Sequence, residues 1–297
     1  MMTLREIIRN PYRPFAFLAA KGFFNWLEDK AYLKLMFRSQ IGRKLDLENP
    51  KTLNEKLQWL KLYDRNPAYV KLVDKYAVRE YIAEKVGREH LIPLVGGPWE
   101  TFDEINFDEL PNQFVLKCTH DSGGLVICRD KGTLDKASAK KKIEKCLKNN
   151  YYYRCREWPY KDVPPRIIAE AYMVDESGVE LKDYKIFCFN GKPEYVEVDF
   201  NRHIEHKLNP YDFDWNPLNF CDSSKNDYEA NIPKPAKLPE MRKVAEILSK
   251  DMRFLRVDFY SIGNQFYVGE LTLYPGSGFI KFEPMSTDLR YGQKLEL

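Results

Sequence analysis

Two carboxylates and one lysine are the residues of this chain whose types and settings most directly suggest chemistry. Asp258 and Glu270 lie in the run RVDFYSIGNQFYVGELTLYPGSGF, from Arg256 to Phe279. Arg256 to Tyr260 alternates like a strand, Gly263-Asn264 is a turn signal, and Gln265 to Leu273 resumes the alternation. Each of two paired strands then carries one acid, and the two could share a divalent cation, since hard cations take carboxylate oxygens. The same letters also fit a surface hairpin with two solvated acids. Lys117 is the one lysine on a buried-type strand, Phe114 to Cys118. A polar glycine loop, His120-Asp121-Ser122-Gly123-Gly124, and a returning strand, Leu125 to Arg129, follow it. A strand, a lysine and such a loop can fold backbone amides over phosphate groups. This is not a P-loop, because no Gly-Lys-Ser/Thr is present and no helix follows directly. Plain hairpins use Gly-Gly turns as well.

The elements that must position these groups can be read from periodicity and punctuation. Residues 1–60 read as mainly helical, with breaks at Gly42 and Asn49-Pro50. Thr52 and Glu55 have the spacing of a capping box, ahead of Leu57, Trp59, Leu60 and Leu62. Ala68 to Val86 reads as one long helix, with Asp74, Lys75 and Arg79 turned away from its apolar stripe. From Leu91 the texture becomes strand-like. Leu134 to Lys148 returns to a basic amphipathic helix. The aromatic and basic run NNYYYRCREW, Asn149 to Trp158, suits packing between helices or stacking on a sugar or base. Asn190-Gly191 is the strongest hairpin signal in the chain. Residues 205–238 read as an irregular loop over the site, and Pro239 to Met252 as a helix. The pattern is α+β, with a mostly antiparallel second half.

Bulk properties exclude some classes. With 47 Lys and Arg against 44 Asp and Glu, the net charge of +3 is too small for a nucleic-acid binder, so no nucleic-acid partner is expected. The six cysteines show neither CxxC nor zinc-like spacing and read as reduced cytosolic thiols. Cys118 and Cys128 could face each other across a hairpin, although packing suits them better. No apolar run reaches the roughly 20 residues of a membrane span. Pro14 to Leu27, preceded by Arg5, Arg9 and Arg13 and interrupted by Lys21, could lie on a membrane surface or pack on the body. Lys21 also breaks the core that a leader peptide needs.

Four stretches stand in the order FVLKCTHDSGG, RIIAEAYM, DYKIFCFNGKP and RVDF…GELTLYPGSG. Together they resemble the ATP-grasp fold, in which two α+β subdomains clamp ATP between antiparallel sheets. The finer resemblance is to the TupA-like ATP-grasp family of teichuronopeptide and bacterial surface-polysaccharide biosynthesis. NPKTLNEKLQWLKLYDRN and LVDKYAVREYI extend it upstream, so that it runs from Phe37 to Phe279. The resemblance implies a helical N-terminal region over 1–90, a small subdomain with the glycine loop over 91–165, and a large subdomain with hinge and metal site over 166–297. Lys117 and Lys185 correspond to the lysines that meet the nucleotide phosphates. Ser122, Gly123 and Gly124 correspond to the loop over them, and Asp183 is a further nucleotide contact. Glu170, Ala171, Tyr172 and Met173 resemble the hinge at adenine. Asp258 and Glu270 match the Mg2+ carboxylates, and Thr272 stands where asparagine is the usual third ligand.

The activity implied is ADP-forming ligation: ATP phosphorylates a carboxylate, an amine attacks the acyl phosphate, and an amide forms. Arg202 is placed beside the acyl phosphate. His120 serves as base or substrate contact, or simply structures its loop. Lys75 and Arg79 bind an anionic acceptor such as a uronate or nucleotide-sugar phosphate, or are surface charges. The expected substrates are a carboxylated sugar, nucleotide sugar or polymer and an amine or amino acid. The expected place is the cytoplasm or the inner face of the membrane. Three other readings stay open. A glycosyltransferase would use the DXD letters Asp212-Phe213-Asp214. A non-catalytic nucleotide-binding assembly factor and a kinase-like phosphotransferase are the others.

Overall fold

The computed structural model describes residues 11–178, 180–202, 204–222 and 224–297. Helices come first: α1 (Arg13–Ala19), α2 (Asp29–Ile41), α3 (Leu53–Tyr63), α4 (Tyr69–Val73) and α5 (Val78–Val86). α3 starts on the expected capping box. Thr52 accepts from the Glu55 amide while Glu55 accepts from the Thr52 amide, which satisfies two orphan donors of the first turn. The single helix expected over 68–86 is instead two. Asp74 Oδ1 accepts from the amides of Tyr76 and Ala77 at 2.9 and 3.3 Å, and Oδ2 takes Arg166 at 2.6 Å. A buried carboxylate bonding its own chain competes with helix continuation. The break brings the Lys75 amide to the Thr119 carbonyl, 3.0 Å away.

β1 (Leu94–Trp99), β2 (Phe114–Cys118), β3 (Leu125–Cys128) and β4 (Ile167–Ala171) form an antiparallel sheet in the order β1-β4-β2-β3. Between β3 and β4 the chain forms α6 (Lys136–Leu147) and α7 (Tyr152–Cys155). Strand alternation sends Phe114, Leu116 and Cys118 into a core with Ala139 and Ile143 of α6, which leaves Val115 and Lys117 on the other face. The sequence division at 165/166 assigns β4 to the second half of the chain. The structure pairs it with β1 and β2, because Ile167 and Ala169 fill the same core as Leu116. Cys128 lies opposite Phe114, so Cys118 and Cys128 occupy opposite ends of their ladder, and all six cysteines are free.

The second sheet contains β5 (Asp183–Phe189), β6 (Lys192–Phe200), β7 (Lys207–Tyr211), β8 (Phe254–Ile262) and β9 (Gln265–Thr272), in the antiparallel order β7-β6-β5-β8-β9. Asn190 and Gly191, with φ of +49° and +76°, close the β5–β6 hairpin as their types demand. β7 lies inside the stretch read as irregular, paired to β6 along its length. α8 (Leu238–Ser249) buries Met241, Ala245 and Leu248 in the same core as Ile186, Val257 and Phe259. α9 (Ser286–Lys294) packs on α3, where Asp288 accepts from the Asn54 amide at 2.9 Å.

The aromatic and basic run around α7 joins the N-terminal helices to the body. Arg156 is buried, donates to the carbonyls of Phe24, Asn25 and Leu27 at 3.0–3.1 Å, and lies 4.1 Å from the Tyr32 ring centroid. Among the described residues no helix is long and apolar enough to cross a membrane. Arg5 and Arg9 lie outside the described residues.

Candidate active site

β5 is the central strand on which the second sheet gathers its charge. Directly opposed residues share a face, so Glu197, Lys185, Asp258 and Glu270 form one row across β6, β5, β8 and β9. The neighbouring rows on that face are Asp199, Asp183 and Tyr260 on one side, and Tyr195, Phe187, Arg256 and Thr272 on the other. The first sheet turns Val115, Lys117 and Glu170 toward this face.

Two adjoining spaces lie between the sheets. One, of about 180 Å3, is lined by Val115, Leu125, Ile127, Ala171, Tyr172 and Met173. The other, of about 320 Å3, collects Lys75, Lys117, Lys185, Arg202, Arg256, Asp258 and Glu270 below Ser122 and Gly124. Lys117, Leu125, Asp183, Arg202 and Tyr260 line both. The first is shaped by apolar side chains and the second by charge, and they run together.

Glu170 differs from the residues after it. Its carboxylate bridges Lys117 Nζ at 2.5 Å and Arg79 Nη1 at 3.2 Å, and its backbone stays in the ladder opposite Val115. Tyr172 and Met173 lie beyond the strand and line the apolar space. Arg79 also donates to the Ile92 carbonyl at 2.7 Å, and Lys75 to the Asp121 carbonyl at 2.8 Å. Lys75 Nζ is 3.5 Å from Glu270 Oε1. Lys75 therefore stands in the wall of the charged space between the glycine loop and Glu270, while Arg79 braces Glu170 from behind. The His120 ring is buried, with Nε2 3.1 Å from the Cys146 carbonyl at the end of α6. Gly123 and Gly124 are not equivalent. A Cβ at Gly124 would meet Cys118 Sγ at 2.5 Å, whereas at Gly123 it would meet nothing nearer than 3.8 Å.

Asp199 Oδ2 collects Lys185 Nζ, Arg202 Nη2 at 2.7 Å and His206 Nε2 at 3.2 Å. Burial works to raise its pKa, but His206, Lys185 and Arg202 outweigh that and hold it below the ordinary carboxylate range. Asp183, 2.9 Å from Arg202, goes the other way. Burial outweighs Arg202 and Lys185, with Asp258 and Asp199 as repelling neighbours, and pushes it up to about 6. The folded state thus binds this proton more tightly than the unfolded chain does. The contribution is fully present below the unfolded carboxylate pKa and is lost as pH rises through about 6. Asp183→Asn is therefore expected to flatten the fall in stability between about pH 4 and 6, by at most about 3 kcal/mol. Denaturant titrations at several pH values measure this, and an unchanged slope would remove Asp183 as its source. Asp199 titrates below that window.

Arg256 is the site residue that the motif reading passed over. Its guanidinium grips Asp258 bidentately at 2.7 and 2.6 Å and reaches Thr272 Oγ1 at 3.1 Å. The signal was available, since residues two apart on a strand share a face. Glu197, buried beside Lys185 at 3.7 Å, was missed as well. Among the described residues no group of three or more His, Cys, Asp and Glu is arranged to hold a metal ion. An all-protein cage does not fit. A nucleotide-borne Mg2+ does, because it needs only one or two carboxylates and takes its other ligands from phosphates and water. Asp258 and Glu270 are direct cross-strand partners. Enclosure would raise the Glu270 carboxyl, but Lys75, Arg256 and Lys117 outweigh it and lower it, which keeps it ionised.

The family model described as TupA-like ATPgrasp matches residues 55–296. No curated protein matches the chain. Similar solved structures include a D-alanine–D-alanine ligase from Bacillus anthracis, 18% identical over 77% of this chain and 61% of that one, TM-score 0.40. The enzyme of the same name from Helicobacter pylori is 17% identical over 82% and 69%, TM-score 0.40. N5-carboxyaminoimidazole ribonucleotide synthetase from Thermus thermophilus is 8% identical over 81% and 52%, TM-score 0.39. The chain thus spans about three fifths of the first of these and half of the last. At such scores the likenesses carry no argument about its chemistry. The family match covers both antiparallel sheets.

Proposed function

Because the chain belongs to the TupA-like ATPgrasp family, an ATP-grasp ligase with the α+β fold of that class, we propose that it is an ADP-forming carboxylate–amine ligase. One observation carries this reading. Lys117 from one sheet and Lys185 from the other converge on a chamber that also holds Asp258 and Glu270, beside an apolar space of different character. A triphosphate with its cation suits the chamber, and a flat aromatic base suits the apolar space between Val115, Ile127 and Met173. Lys117 and Lys185 neutralise phosphate charge as point cations. Ser122 to Gly124 cover it, and Ala171 to Met173 meet the base.

Asp258 and Glu270 hold Mg2+, with Thr272 beside them. When bound, the ion supplies charge neutralisation to the phosphates. Arg202, which reaches into the chamber from Asp183 and Asp199, stabilises negative charge where the substrate carboxylate is activated. The carboxylate donor is a sugar acid or surface-polysaccharide precursor, a choice that rests on family resemblance. Phe17, Phe23 and Trp26, 56%, 63% and 79% exposed beside Lys21, support contact with a membrane surface. Both Asp212 oxygens accept from Asn216 at 2.8 Å, which favours a loop-structuring role for Asp212 over the metal–diphosphate contact of a glycosyltransferase.

Incubation with ATP, Mg2+, a uronic-acid nucleotide and a pool of amines is expected to release ADP and phosphate. Release of AMP and pyrophosphate, or turnover of a nucleotide sugar without ATP, would overturn the reading. Arg202→Ala is expected to bind Mg-ATP normally in a thermal-shift assay while turnover falls by about 10²–10³-fold. Unchanged turnover would take Arg202 out of the mechanism.

A further inference from the structure

Asp199 is 1% exposed, and its compensation arrives at a single oxygen. Oδ2 accepts from Lys185, from Arg202 at 2.7 Å and from His206 Nε2 at 3.2 Å. Oδ1 is buried and takes no hydrogen bond among the described residues. Lys185 and Arg202 line the phosphate chamber, whereas His206 does not, and its side chain is 41% exposed. We propose that His206 is a positioning residue of the nucleotide site, which becomes imidazolium when phosphates draw Lys185 and Arg202 off Asp199, so that nucleotide binding takes up a proton. The proposal rests on the nucleotide reading above and adds how the charge of the site is rebalanced when it fills.

The need for a replacement cation follows from burial. Phosphate oxygens and Asp199 compete for the same ammonium and guanidinium donors, and a carboxylate taken out of water needs an opposite charge beside it. Imidazole is the side chain whose ordinary charge change falls between about pH 5 and 8, so it can supply that charge from solvent protons. The partners of the His206 ring suit both states. With its hydrogen on Nε2, the neutral ring donates to Asp199, and Nδ1, 3.0 Å from Ser224 Oγ, accepts from that hydroxyl. When a solvent proton adds to Nδ1, both nitrogens donate and the Ser224 hydroxyl turns to accept. A hydroxyl serves as donor or acceptor, so the exchange needs no movement of heavy atoms at Ser224.

The other charged groups around Asp199 do not take this part. Asp183 faces Arg202 at 2.9 Å, Glu197 lies 3.7 Å from Lys185, and Asp222 acts on Lys185 and Asp199. All three are acids and offer no cation. Lys207 is paired with Glu205 at 2.8 Å, and Lys225 also attracts Glu205. The Arg256 guanidinium is committed to Asp258. Among the described residues His206 is therefore the group on Asp199 that stands outside the chamber and can gain positive charge.

Isothermal titration of the full chain with Mg-ADP at about pH 7.5, repeated in buffers of different ionisation enthalpy, counts the protons taken up. The unsubstituted protein is expected to show net uptake, approaching about one proton per nucleotide. The bound state holds the extra proton, so its Kd is expected to rise with pH, by up to about tenfold per pH unit between about pH 7 and 8. His206→Gln keeps an amide donor for Asp199 but gains no charge. It is expected to bind without uptake and with a Kd that changes by less than about twofold over the same range. A merely structural histidine would shift the affinity of this variant and leave the proton count alone, so uptake that persists in His206→Gln overturns the proposal. Uptake that is lost in Asp183→Asn instead assigns the proton to Asp183 and overturns it as well. Unsubstituted protein that binds Mg-ADP with no uptake overturns the proposal and leaves the nucleotide reading standing, an outcome that needs no variant to fold. Protein that binds no Mg-nucleotide overturns both.

Discussion

Lys61→Met is expected to lower the unfolding free energy by about 3–5 kcal/mol. Lys61 is fully buried, and three acceptors from three parts of the chain depend on its ammonium: Gln58 Oε1, the Cys155 carbonyl and the Ser277 carbonyl. Methionine keeps much of the volume but supplies no donor, so Gln58 Oε1 and the Cys155 carbonyl are left buried and unpaired at about 1–3 kcal/mol apiece before relaxation, while the Ser277 carbonyl keeps only the Gln58 amide at 3.1 Å. Glu157 also loses its nearby compensating charge. Burial alone lowers the pKa of Lys61, so part of the native cost of an interior ammonium is recovered on substitution and the sum is not reached. Urea denaturation at neutral pH measures the outcome. A loss under about 1 kcal/mol would mean that the loop at Ser277 repacks without its anchor. Lys61 lines neither the phosphate chamber nor the apolar space, so Mg-ATP binding is expected to survive in the folded fraction.

That lysine also shows what was legible in the sequence and what was not. The hairpins were, because Asn190-Gly191 and Gly263-Asn264 state their turns and alternation states the faces. Asp258 and Glu270, twelve residues apart, could be paired on that ground alone, and they are direct partners. The cap at Thr52 was legible for the same local reason. Asn54, Gln58 and Lys61 were not. They form a polar stripe on α3 that is buried, with Asn54 bonded both ways to Ile280 and Gln58 to Ser277 and Gly278. In sequence a buried polar stripe reads as a solvated one, since its partners outside the helix lie far along the chain, at Cys155 and at Ser277 to Ile280. Separation along the chain likewise hid the pairing of β4 with β1, and the Asp74–Arg166 contact that divides the expected long helix. Family resemblance supplied Lys117 and Lys185 as a pair. Spacing could not, because they stand on different sheets and meet only across the cleft.

Glu270→Gln is expected to abolish the magnesium-dependent part of nucleotide binding and to lower turnover by about 10³-fold, with little change in ATP binding without the metal. The two carboxylates of the pair differ in what already holds them. Both oxygens of Asp258 are engaged by Arg256, so a cation there must compete with a bidentate guanidinium. Glu270 has only a long contact to Lys75, at 3.5 Å, and its side chain is 37% exposed. It is the carboxylate free to take up a hard cation, and the surrounding cations keep it ionised. Glutamine preserves its shape and removes the charge, so a loss of metal response cannot be assigned to a collapsed hairpin. Thermal shifts with ATP, with and without MgCl2, separate the terms, because stabilisation follows ligand concentration over Kd for each bound form. Asp258→Asn is expected to cost less metal affinity than Glu270→Gln, since it frees Arg256 as well as removing a ligand. If Glu270→Gln keeps the full magnesium increment, the metal does not sit on this pair. The row across β6, β5, β8 and β9 would then be an ion-pair network that binds phosphates through its lysines alone.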